Sequence, residues 1–284
     1  SLLLLSAWMT LGLFAQSWAN ESVEKAWPQE YHVTTIIDFQ LEVDRSVFQH
    51  TASTSRNFTI GAFVDGQYRG KDSILIHNDA SGMAIRYFSM TVYGTEENKQ
   101  EKKEITLHLY DKDTGIEYIL PQTFTFDGKH YGTLSELKEV SYTTVTELRL
   151  DDRNIYPGGE FDLNEGLSLF HGDALVEDGT QVVLNGWRLT SDSPAMPQGY
   201  TLDSQTGILT TSDDAEATTL NYSVSAGNLS GTGYLTLYYS VQGIEVFENP
   251  VEVLVGSYVS RFIQEGMQFD IYPNTADQDY TLTY

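Results

Sequence analysis

From Ile37 to Asp44 apolar and polar residues alternate without a break. Ile37, Phe39, Leu41 and Val43 share one side; Asp38, Gln40, Glu42 and Asp44 share the other. A period of two describes a strand with one dry and one wet face. The same period returns at Ile105–Tyr110 and Thr123–Phe126. It recurs at Leu220, Tyr222 and Val224, and again at Leu235, Leu237, Tyr239 and Val241. His108 falls on the polar side of its strand, so solvent exposure is expected of it. Turn residues separate the runs: Asp65-Gly66, Asp79–Gly82, Asp113–Gly115, Asp127-Gly128 and the stretch Gly227–Gly233, which reads as a hairpin loop. No long window after residue 19 keeps a 3.6-residue period. The pattern predicts an all-β chain of tandem antiparallel β-sandwich domains.

The N-terminus is different. Leu2–Ala15 is an apolar run of 14 residues, short for a membrane span and of the length of a signal-peptide h-region. Ser17-Trp18-Ala19 places small residues at −3 and −1 for cleavage before Asn20; cleavage after Ala15 is the second choice. Residues 1–19 are therefore expected to form a leader helix outside the fold. No Lys or Arg precedes Lys25 and position 1 is not Met, so the basic n-region is expected to lie upstream.

A repeat sets the domain plan. Arg153–Leu163 (RNIYPGGEFDL) aligns without gaps with Arg261–Ile271 (RFIQEGMQFDI), an offset of 108 residues. That spacing suits one sandwich of about 100 residues. The expected organisation is a first sandwich at 28–142, a second at 143–256, and the start of a further repeat at 257–284. The last piece is too short to bury a core of its own, so the natural chain is expected to continue. Trp187 is expected to fill the space between the two sheets of the second sandwich.

Two stretches carry a resemblance. Gly61–Gly70, GAFVDGQYRG, resembles the AFVDG-x-x-RG strand-turn-strand of secreted proteins from Bacteroidetes bacteria, and the likeness extends over Tyr31–Gly132. It implies an exported β-sandwich and no particular activity. In physical terms Asp65-Gly66 supplies a turn with positive φ, and Arg69 is expected to pair with Asp65 across it. Trp187–Thr211 together with Thr218–Ala226, and above all Asp203-Ser-Gln-Thr-Gly207-Ile-Leu209, resembles the bacterial immunoglobulin-like (group 2) pattern. That implies an immunoglobulin-like sandwich. The segment between Trp187 and Asp203 is longer than the pattern and carries Pro194 and Pro197.

Composition narrows the function. Forty Asp and Glu against 16 Lys and Arg leave a net charge of −24, which repels nucleic acid and anionic lipid. Neither is expected as a partner, nor is membrane insertion after leader cleavage. There is no cysteine, hence no disulfide framework and no thiolate metal site. The six His stand singly, without H-x-H or H-x-x-x-H spacing, and neither a G-x-S-x-G elbow nor a phosphate-binding loop is present. No acid stands in a suggestive apolar context, so no catalytic residue is assigned and no cofactor is required. Calcium is the one metal to consider, since it takes several carboxylate and carbonyl oxygens; the candidate ligands are Asp111 and Asp113, in a stretch lacking the Glu that closes a calcium loop. The clusters Asp151-Asp152 and Asp213–Glu216 read as solvated loops.

The expected function is a non-catalytic exported protein, extracellular or on the cell surface, that acts as a spacer or adhesion module for an unknown protein or glycan. The alternative is a carbohydrate-binding or accessory region of a secreted glycan-degrading enzyme with its catalytic domain beyond residue 284. A planar exposed row of aromatics would mark it, with Tyr156, Tyr200 and Tyr238 as candidates.

Overall fold

The computed structural model describes residues 18–20, 31–48, 57–78, 84–191 and 196–237, and short strands at 243–246, 253–254 and 269–272. The first body contains β1 (Val33–Val43), β2 (Ser46–Val47), β3 (Phe58–Val64), β4 (Gln67–Asn78), β5 (Ala84–Gly94), β6 (Glu104–Asp111), β7 (Glu117–Thr125), β8 (His130–Tyr131) and β9 (Lys138–Tyr142). A five-residue helix, α1 (Glu96–Gln100), joins β5 to β6. It buries no residue, so it leaves no apolar period in the sequence. Its N-cap, Thr95, accepts from the Asn98 amide, and the Asn98 side chain accepts in return from the Thr95 amide, a reciprocal capping box.

The long strand β4 organises this body. Its first part pairs with β3 up to Lys71, and Asp72–Asn78 pair with β5, so one strand passes from one sheet to the other. At the crossing, the buried Asp72 accepts the Ile60 amide at 2.9 Å, which satisfies a donor left by the departing strand. The sheet order is β7-β6-β3-β4-β5-β1-β2, and β8 and β9 lie parallel to β1. These parallel pairs depart from a purely antiparallel scheme. Gln122 of β7 bonds Ser141 of β9 through both its amide oxygen and its amide nitrogen, which ties the two layers at that edge. Ile37, Phe39, Leu41, Ile60, Phe88, Met90, Val92, Leu107 and Leu109 fill the space between. The alternation in Ile37–Leu41 is thus the inner face of β1, but Asp38 on the other face is also buried, 2.8 Å from His130 Nε2.

The second body holds β10 (Glu147–Leu150), β11 (Arg153–Ile155), β12 (Glu160–Asp162), β13 (Leu167–His171), β14 (Ala174–Leu175), β15 (Gln181–Val182), β16 (Gly186–Thr190), β17 (Tyr200–Leu202), β18 (Ile208–Thr211), β19 (Thr219–Ala226) and β20 (Leu229–Leu237). Three sheets, β10-β13-β14, β11-β20-β19-β16 and β12-β18-β17, enclose Trp187, Tyr222, Leu220, Phe161, Leu209 and Leu235. Trp187 is 2% exposed and lies parallel to the Tyr222 ring at 6.1 Å, as expected for a plug between sheets. The Arg153–Leu163 stretch encloses part of this core. Ile155, Phe161 and Leu163 point inward, and Arg153 reaches from β11 to the Asp162 carbonyl and the Glu165 carboxylate. Of its echo, Phe269–Tyr272 is a strand paired antiparallel with Gly243–Val246; the rest, with Tyr239 and Val241, lies outside the described residues, as do Pro194 and residues 1–17.

The stretch Gly227–Gly233 differs from its expected form. Only Gly227 and Asn228 turn; Ser230–Gly233 belong to β20. Gly233 lies opposite Tyr222, and a Cβ there would come within 2.6 Å of its ring. The glycines thus sit in the strand because a ring and a neighbouring backbone occupy the side-chain space.

Candidate functional site

The first site lies on the outer face of β3, β6 and β7. Trp18–Asn20 form one 3₁₀ turn against it. Trp18 and Ala19 are buried, whereas the sequence places both in a leader outside the fold. The Trp18 ring meets Phe63 edge-on at 5.5 Å and Tyr68 at 5.5 Å. Gly61 forms the floor, since a Cβ there would approach the indole to 2.6 Å. Trp18 Nε1 donates to Glu117 Oε1 at 3.2 Å. The same oxygen lies 2.7 Å from His108 Nδ1, and His108 stacks on Phe63 at 4.1 Å. An ionised carboxylate only accepts, so Nδ1 carries a hydrogen whenever Glu117 is charged. Glu117 Oε2 is buried without a protein partner, and Lys71 Nζ donates to the Ala19 carbonyl at 3.5 Å.

Two expectations are corrected here. His108 is 6% exposed, not solvent-facing, because on the polar face of β6 its ring is stacked against Phe63 and bonded to Glu117. Glu117 is an acid in an apolar context, 5% exposed among aromatic rings. The available sequence signal was its position between Ile116 and Tyr118, both buried in the core: on a strand such a residue points the opposite way. What lies on that side, Trp18, is distant in sequence.

The second site is the junction between the bodies. Tyr118 Oη of β7 accepts the Val145 amide at 3.2 Å, and its ring lies 4.9 Å from Tyr142. Burial pushes the Tyr118 hydroxyl up to about 12 and moves Tyr142 further the same way. Asp44, in a turn where Asp44 and Arg45 both have positive φ, accepts the Thr144 amide at 2.8 Å and the Thr144 hydroxyl at 2.9 Å. His171 Nδ1 donates to the Thr144 carbonyl at 2.8 Å. Strand β15 of the second body pairs with β7 of the first, and Asn228 donates its amide to the Thr114 carbonyl at 2.8 Å. One continuous apolar core runs from β1 to β20. Beside it opens a recess of about 580 Å³ lined by Glu42, Asp44, Tyr142, His171, Leu175 and Asp178 among others.

The residues singled out from the sequence are dispersed. Asp111 ends β6 and accepts from the Asp113 amide and the Thr114 hydroxyl, both at 2.9 Å; Asp113 accepts from Asn57 Nδ2 at 2.6 Å. These bonds build the turn before β7. Among the described residues no group of three or more His, Asp or Glu side chains could hold a metal ion. Tyr156 is 43% exposed and meets Phe161 edge-on at 5.0 Å. Tyr200 donates its hydroxyl to the Glu216 carbonyl at 2.6 Å. Tyr238 lies outside the described residues. Arg69 does not pair with Asp65: its guanidinium lies 3.7 Å over the Tyr31 ring and bonds Gln67, while Asp65 pairs with Lys103 at 3.3 Å. Arg69 is drawn to the ring because it is buried there, 8% exposed. Asp152 accepts the Tyr234 amide at 3.0 Å, and Asp214 accepts from Ser212 at 2.6 Å.

No protein-family profile and no curated protein sequence matches the chain. Among solved structures it is similar to murine CEACAM1b (9% identity, 73% of this chain and 100% of that one, TM-score 0.20). It is also similar to the N-terminal eight Ig domains of Down Syndrome Cell Adhesion Molecule (9% identity, 76% of this chain and 29% of that one, TM-score 0.23). A third is the I9–I11 tandem from titin (10% identity, 75% of this chain and 68% of that one, TM-score 0.20). Likenesses this remote assign no role to any residue. No helix among the described residues is long and apolar enough to cross a membrane, which says nothing about a β-barrel.

Proposed function

We propose that this chain is a non-catalytic exported module of immunoglobulin-like sandwiches that spaces, displays or adheres at a cell surface. The observation that carries the reading is the junction. The buried Tyr118–Val145 bond, the solvent-exposed Asp44–Thr144 clamp and the pairing of β15 with β7 join the bodies through a hydrogen-bonded seam. A spacer needs that stiffness, because a free linker lets neighbouring bodies reorient and shortens their mean reach. The acidic surface, net −24, favours an extended, soluble arm through self-repulsion. Tyr156 packs edge-on to Phe161 and Tyr200 is tied by its hydroxyl, an arrangement that favours the spacer over a flat sugar platform.

The absence of cysteine gives a clean test. Glu104→Cys and Thr232→Cys, both at exposed positions, create the only two thiols in the chain. Spin labels there report the distance between the bodies. One narrow distance supports the spacer; a broad distribution in solution would sink it.

A further inference from the structure

The Trp18 seat has a consequence for processing, and it rests on the reading of residues 1–19 as a leader cut after Ala19. We propose that the slot formed by Gly61, Phe63, Tyr68, His108 and Glu117 is a docking site for the leader's own indole, and that docking withholds the Ala19–Asn20 bond from the signal peptidase. Folding of the first body and removal of the leader then compete.

Three observations meet at this bond. The residue on its N-terminal side, Ala19, is 3% exposed, and its carbonyl accepts from Lys71. The backbone there is a 3₁₀ turn from Trp18 to Asn20, while a peptidase cleft takes its substrate extended. Trp18 is fixed by two rings and by the Glu117 carboxylate. Cleavage of a docked chain therefore waits for the turn to lift away, and its rate follows the fraction of molecules in which it has done so. A chain cut before it folds escapes the block. It then leaves a slot with a glycine floor, aromatic walls and a buried acid, shaped for an indole N–H.

The seat also shows how to test this without altering the cleavage sequence. Gly61→Ala places a Cβ 2.6 Å from the Trp18 ring and expels the indole, while β3 tolerates alanine because Gly61 has no positive φ. The intact folded chain, the Gly61→Ala chain and a synthetic peptide of residues 12–24 are incubated with purified signal peptidase, and products are weighed by mass spectrometry. The expected result is a peptide cut before Asn20, a variant cut nearly as fast, and a folded parent cut at least about tenfold more slowly. If the folded parent is cut as fast as the peptide, the docking proposal is overturned and the leader reading stands. If the peptide is cut after Ala15 instead, the leader stands with its other boundary, Trp18 belongs to the mature chain and the proposal falls; if it is cut after neither Ala15 nor Ala19, the leader reading falls and the proposal falls with it. Should Gly61→Ala not fold, Trp18→Ala replaces it, paired with the same substitution in the peptide to correct for any change in recognition by the enzyme. Equal protection of the Trp18→Ala chain and the parent overturns the proposal.

Discussion

Two tryptophans of this chain sit in glycine-floored seats and do opposite things. Trp187 is 2% exposed and Trp18 is 3% exposed. A Cβ on Gly207 would come within 2.5 Å of Trp187, and one on Gly61 within 2.6 Å of Trp18. Trp187 lies between sheets, held by apolar contact and by Tyr222, and its Nε1 is buried without a partner. Trp18 lies on the outside of a sheet, and its Nε1 donates to a buried carboxylate. One ring belongs to the core and tolerates an unpaired N–H because the apolar burial around it is large. The other comes from a short turn, and its hydrogen bond directs it to one place on an otherwise complete sandwich. The difference teaches that burial alone does not separate a structural ring from a docked one; the element it arrives on does.

Substitutions sharpen this contrast in order of size. Trp187→Ala removes the largest core side chain of the second body and should cost about 3–5 kcal/mol, read as a lower urea midpoint by circular dichroism. Gly207→Ala faces both a positive φ and the indole, so about 2 kcal/mol is expected in the same assay. A neutral result there would mean that the Trp187 seat is loose.

The junction comes next. Tyr118→Phe leaves the buried Val145 amide without its acceptor, worth about 1–3 kcal/mol. It also has a pH signature. Burial raises the folded Tyr118 hydroxyl to about 12 from an ordinary value of 10.0. The unfolded chain therefore releases this proton first. The associated stability is complete below pH 10 and is lost as pH rises from 10 toward 12. Tyr222, raised to about 12 by burial as well, adds to the same loss. Urea melts at pH 9 and pH 11 should show a steep fall in the parent and a shallower one in Tyr118→Phe; equal slopes would break the assignment.

Trp18→Ala is expected to cost only about 1–2 kcal/mol in the intact chain, because the lost contacts are partly offset by the freed entropy of the turn that carries them. A loss as large as that of Trp187→Ala would make Trp18 part of the core and abolish the contrast. Asp44→Ala should be smallest, about 1 kcal/mol, and should broaden the spin-label distance between the bodies more than it lowers the melt.

Much of this was legible along the chain, and the reason is local. The alternation at Ile37–Leu41 and at Leu220–Val224 marks inner faces because a strand's period is fixed by its backbone. Asp65-Gly66 marks a turn because both residues take positive φ. What could not be read is whatever a face meets. His108 and Asp38 occupy polar phases of their strands and are buried, because His108 is covered by Phe63 and Asp38 lies against His130. Arg69 chose Tyr31 over Asp65. The glycines of β20 looked like a loop because their function is to leave room for a ring from another strand, which composition does not record.

By itself, then, the sequence determined an all-β chain, its strand phases, its turns, the inward Trp187 and an acidic surface without thiols, since each follows from residue type and short-range spacing. Tertiary structure alone decided the rest. It passed β4 between two sheets, laid β8 and β9 parallel to β1, sealed the bodies through Tyr118 and Asp44, and brought Trp18 to Glu117 across 99 positions of chain. Those contacts join residues whose separation along the chain carries no periodic signal, and only closure of the fold brings them within bonding distance.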